Sequence, residues 1–146
     1  MNNRGHLADF IRLNDIWIKE HFVLEEADRA LAANPGRIID EGGFIFSALL
    51  ADRVEGVCAL FRDSAVRYQL GRMAVAPEQR GAGIGGALMD HALQQARLVG
   101  ATSVYLLSNT VLHPAISLYR RFGFVPIATG QHPVYARCNI VMERSL

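Results

Sequence analysis

The run Pro77-Glu78-Gln79-Arg80-Gly81-Ala82-Gly83-Ile84-Gly85-Gly86-Ala87-Leu88 constrains this chain more than any other stretch, because four glycines lead directly into a helical apolar pattern. Glycine lets successive backbone N–H groups turn toward one point and lets a bulky anion come close. A helix beginning there aims its positive dipole end at the same point. The stretch therefore reads as a phosphate cradle, and its context decides the ligand. Gly81-x-Gly83-x-x-Gly86 satisfies the dinucleotide fingerprint as a string, but that fingerprint needs its first glycine at a strand end and an acidic residue about twenty positions on. Here Ala76 to Arg80 intervene, and the acidic position falls within Val104-Tyr105-Leu106-Leu107. A nucleoside-triphosphate loop is excluded too, since no Gly-Lys-Ser/Thr follows to hold terminal phosphates and magnesium.

Ahead of the cradle, Leu7, Phe10, Ile11, Ile16, Trp17 and Phe22 recur at helical spacing. A second helix is predicted over 25–33, with acids in its first turn and Asn34-Pro35-Gly36 as its stop. Phe44 to Ala51 is a nearly continuous apolar run, expected of a strand covered on both faces, with Asp52-Arg53 as its turn and Val54 to Phe61 returning antiparallel. In the next strand Val66, Tyr68 and Leu70 place apolar residues at even positions, but after Gly71-Arg72 they fall at Met73 and Val75. Strand side chains alternate strictly, so a parity flip at a glycine predicts one extra residue in a bulge.

Beyond the cradle, Ile84, Ala87, Leu88, His91, Ala92, Gln95, Ala96 and Val99 describe the expected buried face of a helix closed by Gly100. Thr102 to Ser108 reads as a strand reached through that helix and so parallel to the bulged one. Pro114 and Gly123 bracket another helix. Strands over 124–127 and 136–143 close the sheet, with Cys138, Ile140 and Met142 on one face of the last. The class is therefore α/β (α+β), a mixed and mainly antiparallel sheet with helices, and 146 residues suit a single domain.

A formal charge of +1 from 15 basic and 14 acidic residues supplies no electrostatic case for nucleic acid. No stretch has the length of a membrane span and no apolar leader core is visible, so a cytoplasmic protein is expected. Cys58 and Cys138 sit inside apolar runs and read as inert core thiols in a reducing compartment, not as a disulfide or a metal site.

The loop also fits Arg80-x-x-Gly83-x-Gly85 after the strand end Met73-Ala74-Val75, and downstream stand Ser108-Asn109-Thr110 and Pro114-Ala115-Ile116-Ser117-Leu118-Tyr119-Arg120-Arg121-Phe122-Gly123-Phe124. Together these segments resemble the GCN5-related N-acetyltransferase (GNAT) family from Phe44 to Met142. The resemblance implies a central sheet splayed at the bulged strand, helices on both faces, acetyl-CoA as acetyl donor, no metal, and direct transfer to the amine of a small molecule or peptide in a ternary complex. A catalytically idle acyl-CoA-binding or sensor domain is the alternative, and a homodimer is compatible with either. The family normally opens with a strand, for which the six residues before Leu7 are too few and too polar.

On that resemblance, the backbone of Met73 and Val75 faces the pantetheine arm, and the amides from Arg80 through Gly81, Ala82, Gly83, Ile84, Gly85 and Gly86 hold the pyrophosphate, with Arg80 adding charge. Val75 N–H is the oxyanion donor and Tyr119 the general acid; Ala115, four residues before it, leaves room for a ligand. Asn109 is either a pantetheine ligand or an ordinary turn residue. For the general base Glu26, Asp28, Glu41, Glu55, Asp63 and Glu78 stand open beside a water chain, each also reading as a solvated charge. Trp17, Phe44, Phe46 and the 130–137 loop with Tyr135 are the candidate acceptor wall, each aromatic reading equally as core. His113 and His132 take no role.

Overall fold

A computed structural model describes all residues from Met1 to Leu146. A six-stranded sheet of order β1-β2-β3-β4-β6-β5 carries the molecule, with β1 Phe44–Leu50, β2 Arg53–Arg62, β3 Arg67–Val75, β4 Ser103–Ser108, β5 Val125–Thr129 and β6 Ile140–Ser145. Every neighbouring pair is antiparallel except β3 with β4. Helices α1 (Leu7–His21), α2 (Glu26–Ala33) and the short α3 (Arg37–Asp40), which the sequence reading did not foresee, precede β1. Helices α4 (Ile84–Leu98) and α5 (His113–Arg121) flank β4.

Two cores lie on opposite sheet faces. Val57, Ala59 and Ala74 pack with Phe10 and Leu13 of α1, whereas Cys58, Leu60, Tyr68 and Leu70 pack with Leu88, Met89 and Leu93 of α4. The predicted bulge is where the parity argument puts it. Ala59 pairs with Gly71 but Val57 with Ala74, so Cys58 alone stands opposite Arg72 and Met73. Even-numbered Tyr68 and Leu70 face α4, and even-numbered Ala74 and Ala76 face α1. At the crossover Arg72 adopts φ 55°, a left-handed conformation that costs an ordinary side chain energy. Its carbonyl is held by α1: buried Asn14 donates from Nδ2 to Arg72 O at 3.0 Å and to Phe10 O at 2.9 Å.

Several boundaries differ from expectation. No strand precedes α1; Asn2 alone exchanges hydrogen bonds with Ile45, both at 2.8 Å, so β1 is a sheet edge. Its far end, with Leu49 52% and Leu50 43% exposed, is therefore not covered on both faces. The hairpin turn falls one residue early, at Ala51 and Asp52, whose positive φ values of 49° and 63° suit the primed turn that matches strand twist. The buried stripe of α4 is Leu88, Met89, Ala92, Leu93 and Ala96, leaving Ala87, His91 and Val99 exposed and Gln95 only half-buried. The sequence pattern runs through the polar positions His91 and Gln95, whereas the fully apolar stripe is the one that packs on β2. The last strand begins at Ile140, so Cys138 lies in the preceding loop instead of on the face of Ile140 and Met142.

Replacing Asn14 by Ala leaves the Arg72 carbonyl without its partner and is expected to cost about 2 kcal/mol. Lys19→Ala, on the exposed side of the same helix, is expected to change stability by less than about 0.5 kcal/mol. Urea unfolding of the two variants checks this.

Candidate active site

The bulge ends the partnership of β3 and β4. Their parallel register runs only from Arg67 opposite Ser103 to Leu70 opposite Leu106. Beyond it β3 stays paired with β2 and β4 with β6, so a slot opens between Gly71–Val75 and Leu107–Ser108. The N–H of Ala76 is spent on Glu55 O of β2 at 2.8 Å, and strand alternation therefore turns the N–H of Val75 the other way, into the slot.

The glycine run stands at one end of this slot. Gly83 is the N-cap of α4 at φ 85°, and neither it nor any other side chain caps the helix. The first internal bond is Ala87 N to Gly83 O, so the amides of Ile84, Gly85 and Gly86 lie free at the positive end of the helix dipole. That end is seated by Gly56 of β2, where a Cβ would come within 2.5 Å of Ile84 Cγ2. Arg80 is held beside the loop, donating from Nε to Val75 O at 3.3 Å and pairing with Glu20 of α1 at 2.5 Å.

Two cavities meet in the slot. One, of about 390 Å³, runs between the glycine run and α5 and is lined by Val75, Arg80, Gly85, Ala115 and also His21, a residue to which the sequence reading gave no part. The other, of about 260 Å³, lies toward α1 and the β5–β6 loop, with Trp17, Phe22, Phe61, Arg72, Tyr135 and Arg137 in its wall. Trp17, Met73, Leu112 and Tyr119 line both. Tyr119 thus stands at the junction, its ring edge-on to Phe124 at 6.3 Å. Burial, with smaller contributions from Cys58 and Cys138, pushes its phenol up to about 12.

Of the predicted residues, Met73, Val75, Arg80, Gly85, Tyr119, Trp17 and Tyr135 are brought to these cavities. Phe44 and Phe46 are not. Both point from β1 to the α4 face, where Phe46 is 7% exposed and core, and half-buried Phe44 packs against that core with its ring tilted to Tyr68 at 6.4 Å, so neither lines the smaller cavity as an acceptor wall. Asn109 lines the smaller cavity, but its side chain is engaged at both ends. It donates to Arg137 O at 2.8 Å and accepts from Val111 N at 3.0 Å, an Asx turn that pins the β5–β6 loop. Cys138 is likewise a wall of this cavity and not core, while Cys58 is fully buried.

Asp28 is the feature that sequence reasoning missed. Read as a solvated charge, it is 4% exposed and accepts from Arg137 at 2.5 and 2.7 Å, from Arg72 at 2.6 Å and from Glu25 N at 2.8 Å. Glu25 also accepts from Arg137 at 3.2 Å and from Ala136 N at 2.9 Å, and Tyr135 OH accepts from Arg72 at 2.5 Å. Burial works against the Asp28 charge, but the bond from Arg137, the Glu25 amide and the charge of Arg72 outweigh it and hold the carboxyl at about 2. Such an acid takes no proton from an amine. Of the other candidate bases, Glu41 and Asp63 pair with Arg37 and Arg67, Glu26 and Glu78 are exposed, and buried Glu55 lines neither cavity. The local signal was the Glu25-x-x-Asp28 capping box at the start of α2.

The acetyltransferase (GNAT) domain model matches residues 18–126. The chain belongs to the GNAT acetyltransferase family. It is 47% identical over 58 residues to a streptothricin acetyltransferase of Streptomyces lavendulae, covering 40% of this chain and 31% of that protein. It is 35% identical over 66 residues to an uncharacterised N-acetyltransferase of Escherichia coli strain K12, covering 45% and 33%. The matched stretches thus span about a third of these relatives. The fold is shared over nearly the whole chain with a GNAT-family acetyltransferase of Staphylococcus aureus Mu50, at TM-score 0.85 and 22% identity, covering 99% and 95%. The GNAT sheet and its flanking helices are those expected from the sequence.

Because the Asp28 carboxyl titrates lower in the folded chain than its ordinary 3.8, its contribution to stability is complete above about pH 4 and is lost as pH falls toward 2. Asp28→Asn leaves two buried guanidinium groups short of an anion and is expected to cost about 3 kcal/mol at pH 7. The gap between variant and wild type should close between about pH 4 and 2, as read by urea unfolding across that range.

Proposed function

We propose that this GNAT domain is an acetyl-CoA-dependent N-acetyltransferase that transfers acetyl directly to a primary amine in a ternary complex. The observation that carries the reading is the junction at Tyr119. A slot leads from three free helix amides to the phenol of half-buried Tyr119, and a second cavity opens on the other side of that phenol. In this reading the amides of Ile84, Gly85 and Gly86 and the loop from Arg80 to Gly83 hold the coenzyme's pyrophosphate. The pantetheine lies along Met73 and Val75, and Asn109 shapes the loop beside it. The acceptor enters from the cavity of Trp17 and Tyr135.

The neutral amine attacks the thioester carbonyl carbon. As the C–N bond forms, the carbonyl electrons move to oxygen, which the Val75 N–H stabilises. The C–S bond then breaks, and the thiolate takes the Tyr119 hydroxyl proton. No carboxylate lines either cavity, so the proton lost by the amine passes to water or to His21 in the wall of the larger cavity, and water returns a proton to the Tyr119 phenolate. Burial raises the phenol of Tyr119 and the thiol of Cys138 in the adjoining cavity wall, and the same loss of hydration raises a thiolate released beside them, which favours its taking the proton.

Calorimetry should show acetyl-CoA and CoA binding, and no comparable binding of ATP. Tyr119→Phe should lower kcat by about 10²-fold or more while leaving the affinity for acetyl-CoA within a factor of about two. Unchanged turnover would remove Tyr119 from the chemistry. Acetyl-CoA binding without turnover on any amine would instead favour a sensor domain.

A further inference from the structure

The smaller cavity carries a statement about its occupant that the transferase reading alone does not make. Its wall contains two arginines and no acid. Asp28 and Glu25 sit behind those arginines and are consumed by them: Asp28 accepts three guanidinium bonds and a backbone N–H, and Glu25 accepts from Arg137 and Ala136 N. The four charges sum to zero, so the cavity exerts no long-range pull of either sign. Selection there is by short-range donors.

A guanidinium offers five N–H donors. Arg72 spends one on Asp28 and one on Tyr135, and its Nε makes no bond within the protein. Arg137 spends Nη1 on Glu25 and Asp28 and Nη2 on Asp28, again leaving Nε unspent. Both groups are nearly enclosed, at 10% and 12% side-chain exposure. The unspent donors are open to water and to a carboxylate that enters the cavity, and the carboxylate makes the stronger, charge-assisted bonds. An additional ammonium group would meet no anion there and would lose its hydration uncompensated. The rest of the wall is mainly apolar, with Trp17, Phe22 and Phe61 beside aliphatic Ile18, Leu70 and Leu106, and the volume of about 260 Å³ falls below the range of about 300–1,000 Å³ usual for drug-sized ligands.

We infer that the acceptor is a small monoamine bearing a carboxylate and an apolar or aromatic body, of amino-acid chemistry, with Arg72 and Arg137 as its carboxylate-recognising residues, and that polycationic amines are excluded. This rests on the transferase reading, because it takes the amine to lie at Tyr119 and the carboxylate at the β5–β6 loop.

Free-thiol release from acetyl-CoA, measured with the full chain, decides it on a panel of L-phenylalanine and L-leucine, their carboxamides, spermidine and kanamycin. The free acids should exceed their amides by about tenfold or more in kcat/KM, mainly through KM, with no turnover of the two polycations above background. Arg137→Lys keeps a charge against Asp28 but loses the planar fork, and should bring the acid-to-amide ratio toward one. Amides equal to acids, or spermidine or kanamycin as the preferred acceptor, overturns the inference, as does acetyl-CoA binding with neither acid acetylated. If acetyl-CoA does not bind in calorimetry, it is the transferase reading that has failed. The wild-type panel decides the matter even if Arg137→Lys does not fold.

Discussion

Arg72 holds a left-handed backbone inside a β-strand, and the site depends on that residue staying there. The conformation costs on the order of 1–3 kcal/mol and persists only where the surroundings enforce it. Three groups do so: Asn14 binds its carbonyl, and Asp28 and Tyr135 bind its guanidinium. Everything downstream in β3 then shifts by one residue. Ala74 faces α1, Val75 N–H leaves the ladder, and β4 loses its partner beyond Leu106. A zipped sheet here would have no slot.

Asp28 links the bulge to the rest of the cavity wall. It joins the N-terminus of α2, the extra residue of β3 and the β5–β6 loop through one carboxylate, with Asn109 fastening the same loop from the other side. Buried ion clusters add little net stability compared with apolar packing, but removing one member leaves the others uncompensated. The effect here is geometric. Segments distant in sequence are fixed around a cavity that α1, with Trp17, closes.

Features encoded by neighbouring residues were legible in advance. The bulge showed in the parity of Tyr68, Leu70, Met73 and Val75, and the phosphate-type helix start in the spacing of Gly81, Gly83 and Gly85, because both obey local backbone rules. What depended on which elements pack together was not. Phe44 and Phe46 alternate on β1 whichever face is buried, and only the placement of α4 shows that they face the core. The exposed end of β1 follows from its place at the sheet edge. Asp28 looked solvated because its partners Arg72 and Arg137 lie 44 and 109 residues away. The capping box placed it at a helix start, but a helix start says nothing of burial.

The central claim is that the unzipped segment of β3 is the seat of a thioester arm. A crystal structure of the chain grown with coenzyme A tests it most directly. The account predicts the pyrophosphate on the amides of Ile84, Gly85 and Gly86, the pantetheine threaded between β3 and β4, and its sulfur near Tyr119 and Val75 N–H. A coenzyme bound elsewhere, or a complex in which β3 and β4 have closed on each other past Leu106, would contradict it.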